Sequence, residues 1–271
     1  MIRETRTAWF VVISCFVFNS CSWVSTVEND GAPAQPADVS SVKDAVPRDE
    51  PRSKYGNPDS YEVFGRRYYV LNDSSGFVER GIASWYGTKF HGRRTSSGET
   101  YDMYAMTAAH KTLPLPTYVE VINLENNKRV IVKVNDRGPF HDNRVIDLSY
   151  SAASKLGILA RGTGLVEVRA IDPDYYSPGS SPGLRTVGLS KETVSQFYIQ
   201  VGAFSEPLNA ERLQARLSPL GDSIVKISQA TVNGQQVYRV RLGPFVDVEN
   251  ADDIVRQLPR YGLNDHHVVI D

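Results

Sequence analysis

Cysteine is almost missing from this sequence: there are two in 271 residues, Cys15 and Cys21, both near the start. Beyond residue 21 no disulfide framework and no cysteine-based metal site is available, so the chain must fold on core packing alone. No Cys/His spacing suggests a metal, and no cofactor is implied. An excess of one charge is missing too: 30 Lys and Arg face 31 Asp and Glu, a formal net charge of −1. Such a chain has no field for gathering a polyanion, which argues against nucleic acid as a partner and leaves a neutral glycan compatible. Long apolar runs are also absent. The stretch AWFVVISCFVF at 8–18 is too short for a stable bilayer span.

That stretch follows Arg3 and Arg6 and precedes Cys21, the pattern of an export leader over 1–20. Cys21 then becomes the expected lipidation site, and acylation there anchors the chain stably. Residues 22–52 are rich in Ala, Pro, Ser, Asp and Val, with Pro33, Pro36, Pro47 and Pro51 and no periodicity. They read as a disordered tether, so 21–53 is expected to be a lipidated linker.

Residues 54–80 carry Tyr55, Tyr61, Phe64, Tyr68, Tyr69 and Phe77 and read as an ordered lead-in with a hairpin or strand in 63–71. In 81–172, GIASWYG, TYVEVINLE, RVIVKVND and LVEVRAI place β-branched residues at period two, and NLENNKR reads as a hairpin turn. RVIDLSYSAASKLG changes period: Ser149 fits an N-cap, Ala152, Ala153 and Leu156 an apolar face, and Gly157 a stop. Asp147 reads as a further cap of that helix rather than a reactive group. Mostly strands with one or two short helices predicts a small closed barrel. Residues 173–193 are rich in Pro, Gly and Ser and read as a linker. Residues 194–271 read strand, helix, strand, strand, helix, strand, with helices at 209–217 and 250–258 and a tight turn at Asn233-Gly234.

The most informative word is VNDRGPF at 134–140. Asp136 stands between the apolar strand RVIVKV and a Gly-Pro turn, held on a rigid edge. The words GIASWYGTKFHGRRTSSGETYD and MTAAHKTLPLPTYVEV bring Trp85, Tyr86, His91, Glu99 and His110. Carboxylates, histidines and aromatics together fit a carbohydrate site with an acid catalyst. Residue chemistry alone also fits a turn-capping Asp136, a solvated Glu99 and a packed His110. Alternation sends one of Trp85 and Tyr86 into the core.

These words resemble the rare lipoprotein A family of Gram-negative bacteria over 81–172. FYIQVGAF and YRVRLGPF resemble a SPOR domain over 196–271. The resemblance implies a mainly β plus α+β architecture: a double-psi β-barrel, then a βαββαβ SPOR domain, behind a disordered N-terminal tether. It implies a peptidoglycan lytic transglycosylase in which Asp136 protonates the bridging oxygen between N-acetylmuramic acid and N-acetylglucosamine. The muramic C6 hydroxyl then attacks and closes a 1,6-anhydro ring. Glu99 and His110 join Asp136 as catalytic residues; the chemistry of Glu99 fits orienting the sugar, accepting a proton from a hydroxyl, or raising the proton affinity of Asp136 as a like charge. Trp85, Tyr86 and His91 become sugar contacts. In the SPOR segment Gln200, Phe204, Arg241 and Phe245 become contacts for glycan strands stripped of stem peptides, as found at division septa. The implied location is the periplasmic face of the outer membrane, with amidases and divisome components as partners. The competing reading is a septal wall-binding protein that organises glycan without cutting it. A barrel-type aspartic protease needs an Asp-Thr/Ser-Gly word, and TSSGE has no such Asp.

Overall fold

The computed structural model describes residues 30–141, 143–177, 196–221 and 223–270. The leader, Cys21 and residues 178–193 of the expected linker lie outside the described residues.

A short antiparallel hairpin, β1 (Ser60–Val63) and β2 (Arg66–Tyr69), opens the ordered lead-in. Six strands then close a barrel: β3 (Val78–Tyr86), β4 (Thr107–His110), β5 (Thr117–Asn123), β6 (Arg129–Asp136), β7 (Arg144–Ser149) and β8 (Gly164–Ala170). Around the barrel the order is β3-β7-β4-β6-β5-β8. Two of the pairings, β3 with β7 and β4 with β6, are parallel, which crosses the chain over itself twice. The first barrel strand starts at Val78, ahead of the expected 81. Period-two alternation fills the interior with Ala83, Ala108, Val132, Val134, Ile146, Leu148, Val166 and Val168.

Helix α1 (Tyr150–Leu156) plugs one end of the barrel. Ser149 caps it by accepting from Ala152 N, and Gly157 ends it with φ 81°. Asp147 takes no part in that cap, contrary to the sequence expectation, because the one hydroxyl at Ser149 already serves the helix.

The second unit has β9 (Phe197–Phe204), α2 (Pro207–Leu217), β10 (Val225–Val232), β11 (Gln235–Phe245), α3 (Val248–Val255) and β12 (His267–Ile270). Its antiparallel sheet runs β10-β11-β9-β12. The second helix is shorter than the expected 250–258, and a 3-10 turn at Leu258–Tyr261 follows it. Asn233 and Gly234, both with positive φ, make the tight turn between β10 and β11. Both helices bury one stripe, Ala210, Leu213 and Leu217 on α2 and Ala251 and Val255 on α3, against Phe197, Ile199, Val201, Val240 and Leu242. Ile82 and Leu165 on the barrel exterior join this cluster, and Asn143 donates to Asp252 across the junction at 2.9 Å.

Residues 30–52 correct the expectation of a tether. They lie along the barrel and are held at several points. Asp44 accepts from Ile131 N at 3.2 Å and pairs with Lys155, and Ala45 N donates to Ile131 O at 3.0 Å. Glu50 accepts from Tyr118 and from Lys133 Nζ. Val39 is buried in a cluster with Tyr86, Tyr101, Met103, Ala109 and Tyr150. Sparse apolar residues are enough here because the carboxylates among them find amide and ammonium partners on the barrel wall. Val39→Asp is therefore expected to destabilise the protein by about 2–4 kcal/mol, an unpaired charge having entered an apolar cluster. A urea midpoint equal to that of the parent chain would show that this segment contributes no packing.

Candidate active site and glycan-binding face

The site forms where β6 breaks its alternation. Ala108 pairs with Val134 and Ala109 with Asp136, so Asn135 is one residue too many. The bulge turns both Asn135 and Asp136 toward the barrel exterior, where the loop 94–99 docks on them. Ser96 N and Oγ donate to Asp136 Oδ1 at 2.8 and 2.6 Å, and Arg137 N donates to the same oxygen at 2.7 Å. Ser97 N donates to Asn135 O at 3.1 Å, and Asn135 Nδ2 donates to Glu99 Oε2 at 2.7 Å. Arg137 points away from Asp136 and ties the surroundings together, donating to Gly56 O, His110 O and Leu113 O.

Glu99 lies beside Asp136 as expected, but its charge is answered. Burial alone would raise its pKa, yet the hydrogen bonds from Asn135 and Lys133 outweigh that and hold it below the usual carboxylate range. Lys133 Nζ bridges Glu99 and Glu50 at 2.7 and 2.9 Å. Glu99 is thus taken up by Asn135 and Lys133.

His110 does not join the groove. Its strand neighbour Ala109 faces outward, so alternation turns His110 inward, opposite Ile146. The imidazole is buried; Nδ1 accepts from Thr112 N and Leu113 N, and Nε2 stands 3.2 Å from Glu79 Oε2. Those bonds fix the neutral tautomer with hydrogen on Nε2, and burial pushes the pKa down despite Glu79. His110 therefore shapes the turn after β4 and presents its carbonyl to Arg137.

The proposed sugar contacts also divide. Tyr86 is 8% exposed and stacks on Tyr101 at 4.1 Å, so its ring face is already covered. Trp85 is half-buried with its ring edge-on to Tyr150 at 6.0 Å. His91 is exposed, and its Nδ1 accepts from Met103 N at 3.1 Å and orders that loop.

A second acid, read from sequence as a cap, belongs here. Asp147 on β7 pairs with Ala109 from one side while Asp136 pairs with it from the other. Laterally paired residues share a face, so the two carboxyls flank a methyl group on the barrel exterior. Asp147 Oδ1 is buried and has no hydrogen-bond partner among the described residues. Burial pushes this carboxyl up to about 6, against Arg144 and Lys111 and with Asp30 as a nearby like charge. The signal available in the sequence was parity: in VIDLS, Asp147 lies between the apolar Ile146 and Leu148 and so faces away from the core.

In the second unit, Gln200 and Arg241 pair across β9 and β11 and point away from the helices, since their strand neighbours are core residues. Arg241 lies 5.8 Å over the Tyr198 ring. The same parity adds Lys226, Ser228, Arg239 and His267, giving this sheet face a basic and aromatic character. Phe245 and Phe204 do not belong to it. Phe245 is 8% exposed and packs on Phe197 at 5.7 Å, and Phe204 leans on the core over Gly202, where a Cβ would meet its ring at 2.8 Å.

A closed six-stranded barrel with an exterior carboxylate site, followed by a four-stranded sheet with two helices on one face, defines a double-psi barrel protein with a SPOR module. Residues 78–169 match the family described as Lytic transglycolase, and residues 193–269 match the SPOR domain family. The chain is 42% identical over 280 residues to the endolytic peptidoglycan transglycosylase RlpA of Pseudomonas aeruginosa strain UCBPP-PA14, covering 86% of this chain and 81% of that one. It is 42% identical over 240 residues to the protein of the same name from Vibrio cholerae, covering 88% and 86%. The crystal structure of the RlpA SPOR domain from Pseudomonas aeruginosa aligns with 36% identity and a TM-score of 0.26, covering 27% of this chain and 96% of that one. The chain belongs to the RlpA family.

The raised carboxyl has a thermodynamic consequence. Asp147 is held more readily in its neutral form when folded, so its contribution to stability is full below about pH 4 and is lost as pH rises through about 6. Asp147→Asn is expected to stabilise the fold by about 1–3 kcal/mol at pH 8 and to change little at pH 4. Thermal melts of both proteins across that range check this, and parallel stability curves would contradict it.

Proposed function

We propose that this chain is a peptidoglycan lytic transglycosylase that cleaves within glycan strands between N-acetylmuramic acid and N-acetylglucosamine, leaving 1,6-anhydro ends. The observation that carries this reading is the outward carboxyl of Asp136, built into a bulge and clamped by the loop that also carries Glu99. The reaction needs a proton delivered to the bridging oxygen and another removed from the muramic C6 hydroxyl, while an oxocarbenium-like centre develops between them. An attacking hydroxyl already joined to the same sugar gains a high effective molarity, so no bound water or metal is required by the chemistry. An open barrel face suits a long polymer that must be cut away from its ends. Family membership supports the same activity.

The basic, aromatic sheet face of the second unit fits strands stripped of stem peptides, whose lactyl carboxylates are then free. On this reading the protein acts at the division septum, after amidases have removed the stem peptides. Acylation at Cys21 completes the reading by holding it to the outer membrane on the periplasmic side.

Purified protein incubated with intact and amidase-treated sacculi should release anhydro-muramic products, seen by mass spectrometry. Asp136→Asn should lower their rate at least 100-fold with sacculus binding retained. Binding without products from the parent chain would replace this reading with that of a non-cleaving wall organiser. Lys226→Glu combined with Arg239→Glu should weaken binding to stripped sacculi about tenfold, because the tethered module raises the local concentration of substrate. Unchanged pull-down by the sacculi would remove this face from recognition.

A further inference from the structure

The rim around Asp136 includes residues from ahead of the barrel. Gly56 lies against the loop that clamps the acid, so closely that a Cβ there would meet Ser96 O at 2.7 Å. Arg137 Nε donates to Gly56 O at 2.8 Å. Asn57 Oδ1 accepts from Leu115 N and Asn57 Nδ2 donates to Leu115 O, both at 2.8 Å, and Ser53 N donates to the same carbonyl at 2.8 Å. These bonds fix the backbone of 53–57 beside Ser96, which itself donates to Asp136. The segment precedes residues 78–169, the stretch that matches the barrel family, and so adds to the site from outside it. Its middle residue, Tyr55, is left 52% exposed. A large aromatic on a fixed backbone, kept out of the core, is suited to contact rather than packing.

Two cations gather at that ring. Arg94 stands 5.7 Å and Lys54 5.5 Å from its centroid. Gly98 makes room for the arrangement, since a Cβ there would meet Arg94 Nη2 at 3.2 Å and Tyr55 Cδ2 at 3.4 Å. Arg94 pairs with Thr100 in a short antiparallel bridge, at the base of the loop whose Ser96 serves Asp136. The other cations near the acid are engaged: Lys133 with Glu99 and Glu50, and Arg137 with three carbonyls. Arg94 and Lys54 are exposed and form no ion pair among the described residues.

We propose that Arg94, with Lys54 and the Tyr55 ring, forms a carboxylate subsite that reads the lactyl group of the N-acetylmuramic acid unit cut at Asp136. This rests on the transglycosylase reading above and extends its preference for stripped strands from the second unit to the cutting site. The broken bond starts at the muramic anomeric carbon, so a muramic unit must lie against Asp136, and its lactyl group is carried on the same ring. On a stripped strand the lactyl carboxylate is free and negative. On an intact strand it is an amide to the stem peptide and is neutral. A guanidinium at the rim gains a charge-assisted pair from the first and little from the second. Tyr55 is a positioning residue here: its ring keeps two long side chains gathered at the rim, which lowers the ordering cost of pairing.

The test uses the full chain and short soluble oligomers cut from amidase-treated sacculi, with their lactyl carboxylates free or converted to methylamides. The parent is expected to show a KM about tenfold lower for the free acid than for the methylamide. Arg94→Gln should raise the KM for the free acid about tenfold, leave that for the methylamide within about twofold, and hold kcat within about threefold on both. Tyr55→Ala should act in the same direction more weakly, and Tyr55→Phe, which keeps the ring, should match the parent. Thermal melts confirm that each variant is folded. A parent that does not discriminate between the two oligomers, or an Arg94→Gln chain that discriminates as strongly, would overturn the subsite. Free-acid oligomer should also shift the amide resonances of Ser96 and Gly98 in the parent and not in Arg94→Gln. Equal shifts in both, or none in the parent, overturn the subsite whether or not the chain cuts. A parent that shows those shifts and yields no anhydro product overturns the transglycosylase reading alone, so the two failures are distinct.

Discussion

One extra residue in β6 sets the geometry on which the site depends. Strict alternation would send Val134 inward, Asn135 outward and Asp136 back into the apolar interior. With Asn135 inserted opposite the β4 ladder, Asp136 instead pairs with Ala109 and faces the exterior. An aspartate pointed into the cluster of Val132, Ile146 and Leu148 would be a buried unpaired charge, so the bulge and the carboxyl require one another. Asn135, turned the same way, becomes the bond that seats the loop carrying Glu99.

Around that irregularity the chain places successive layers. The loop 94–99 closes over Asp136 with backbone and hydroxyl donors rather than with a cation, so no ammonium neutralises the reacting group. The cation nearby, Lys133, is occupied by Glu99 and Glu50. Arg137, whose number follows that of the key acid, is turned to three carbonyls and a side-chain amide and fixes the β1-β2 side of the barrel. The N-terminal segment adds an outer layer, and its Glu50 and Val39 reach the same residues that support the site. The result is a carboxyl pair on a rigid wall, with the buried methyl group of Ala109 on the strand between them.

The second unit solves a different problem with the same alternation. Its helices cover one sheet face and leave the other to Lys226, Arg239, Arg241, Gln200 and Tyr198. Contact with the barrel goes through α3, Ile82, Leu165 and the β12 edge, so His267 on the exposed sheet face lies close to the junction.

Much of this was legible in the sequence, because it depends on local periodicity. Period-two segments, the Ser149 and Gly157 caps and the Asn233-Gly234 turn act within a few residues, and each appears where the pattern puts it. Parity also contained the outward placement of Asp147 and the inward placement of His110, whereas Phe245 turns inward through a register shift in β11 that parity does not show. Other features could not be read from the chain alone. The partners of Glu99, the ordering of 30–52 on the barrel wall and the meeting of Asp136 with Asp147 across Ala109 depend on strands that are distant in sequence. Sequence determined which residues face in or out along the regular stretches of each strand, since that follows from the pleat, while the register shifts at Asn135 and in the β9–β11 pairing were decided by the strands' partners. Only the closed barrel decided which outward residues meet, since the parallel crossings of β3 with β7 and β4 with β6 set strand neighbours that no local pattern encodes.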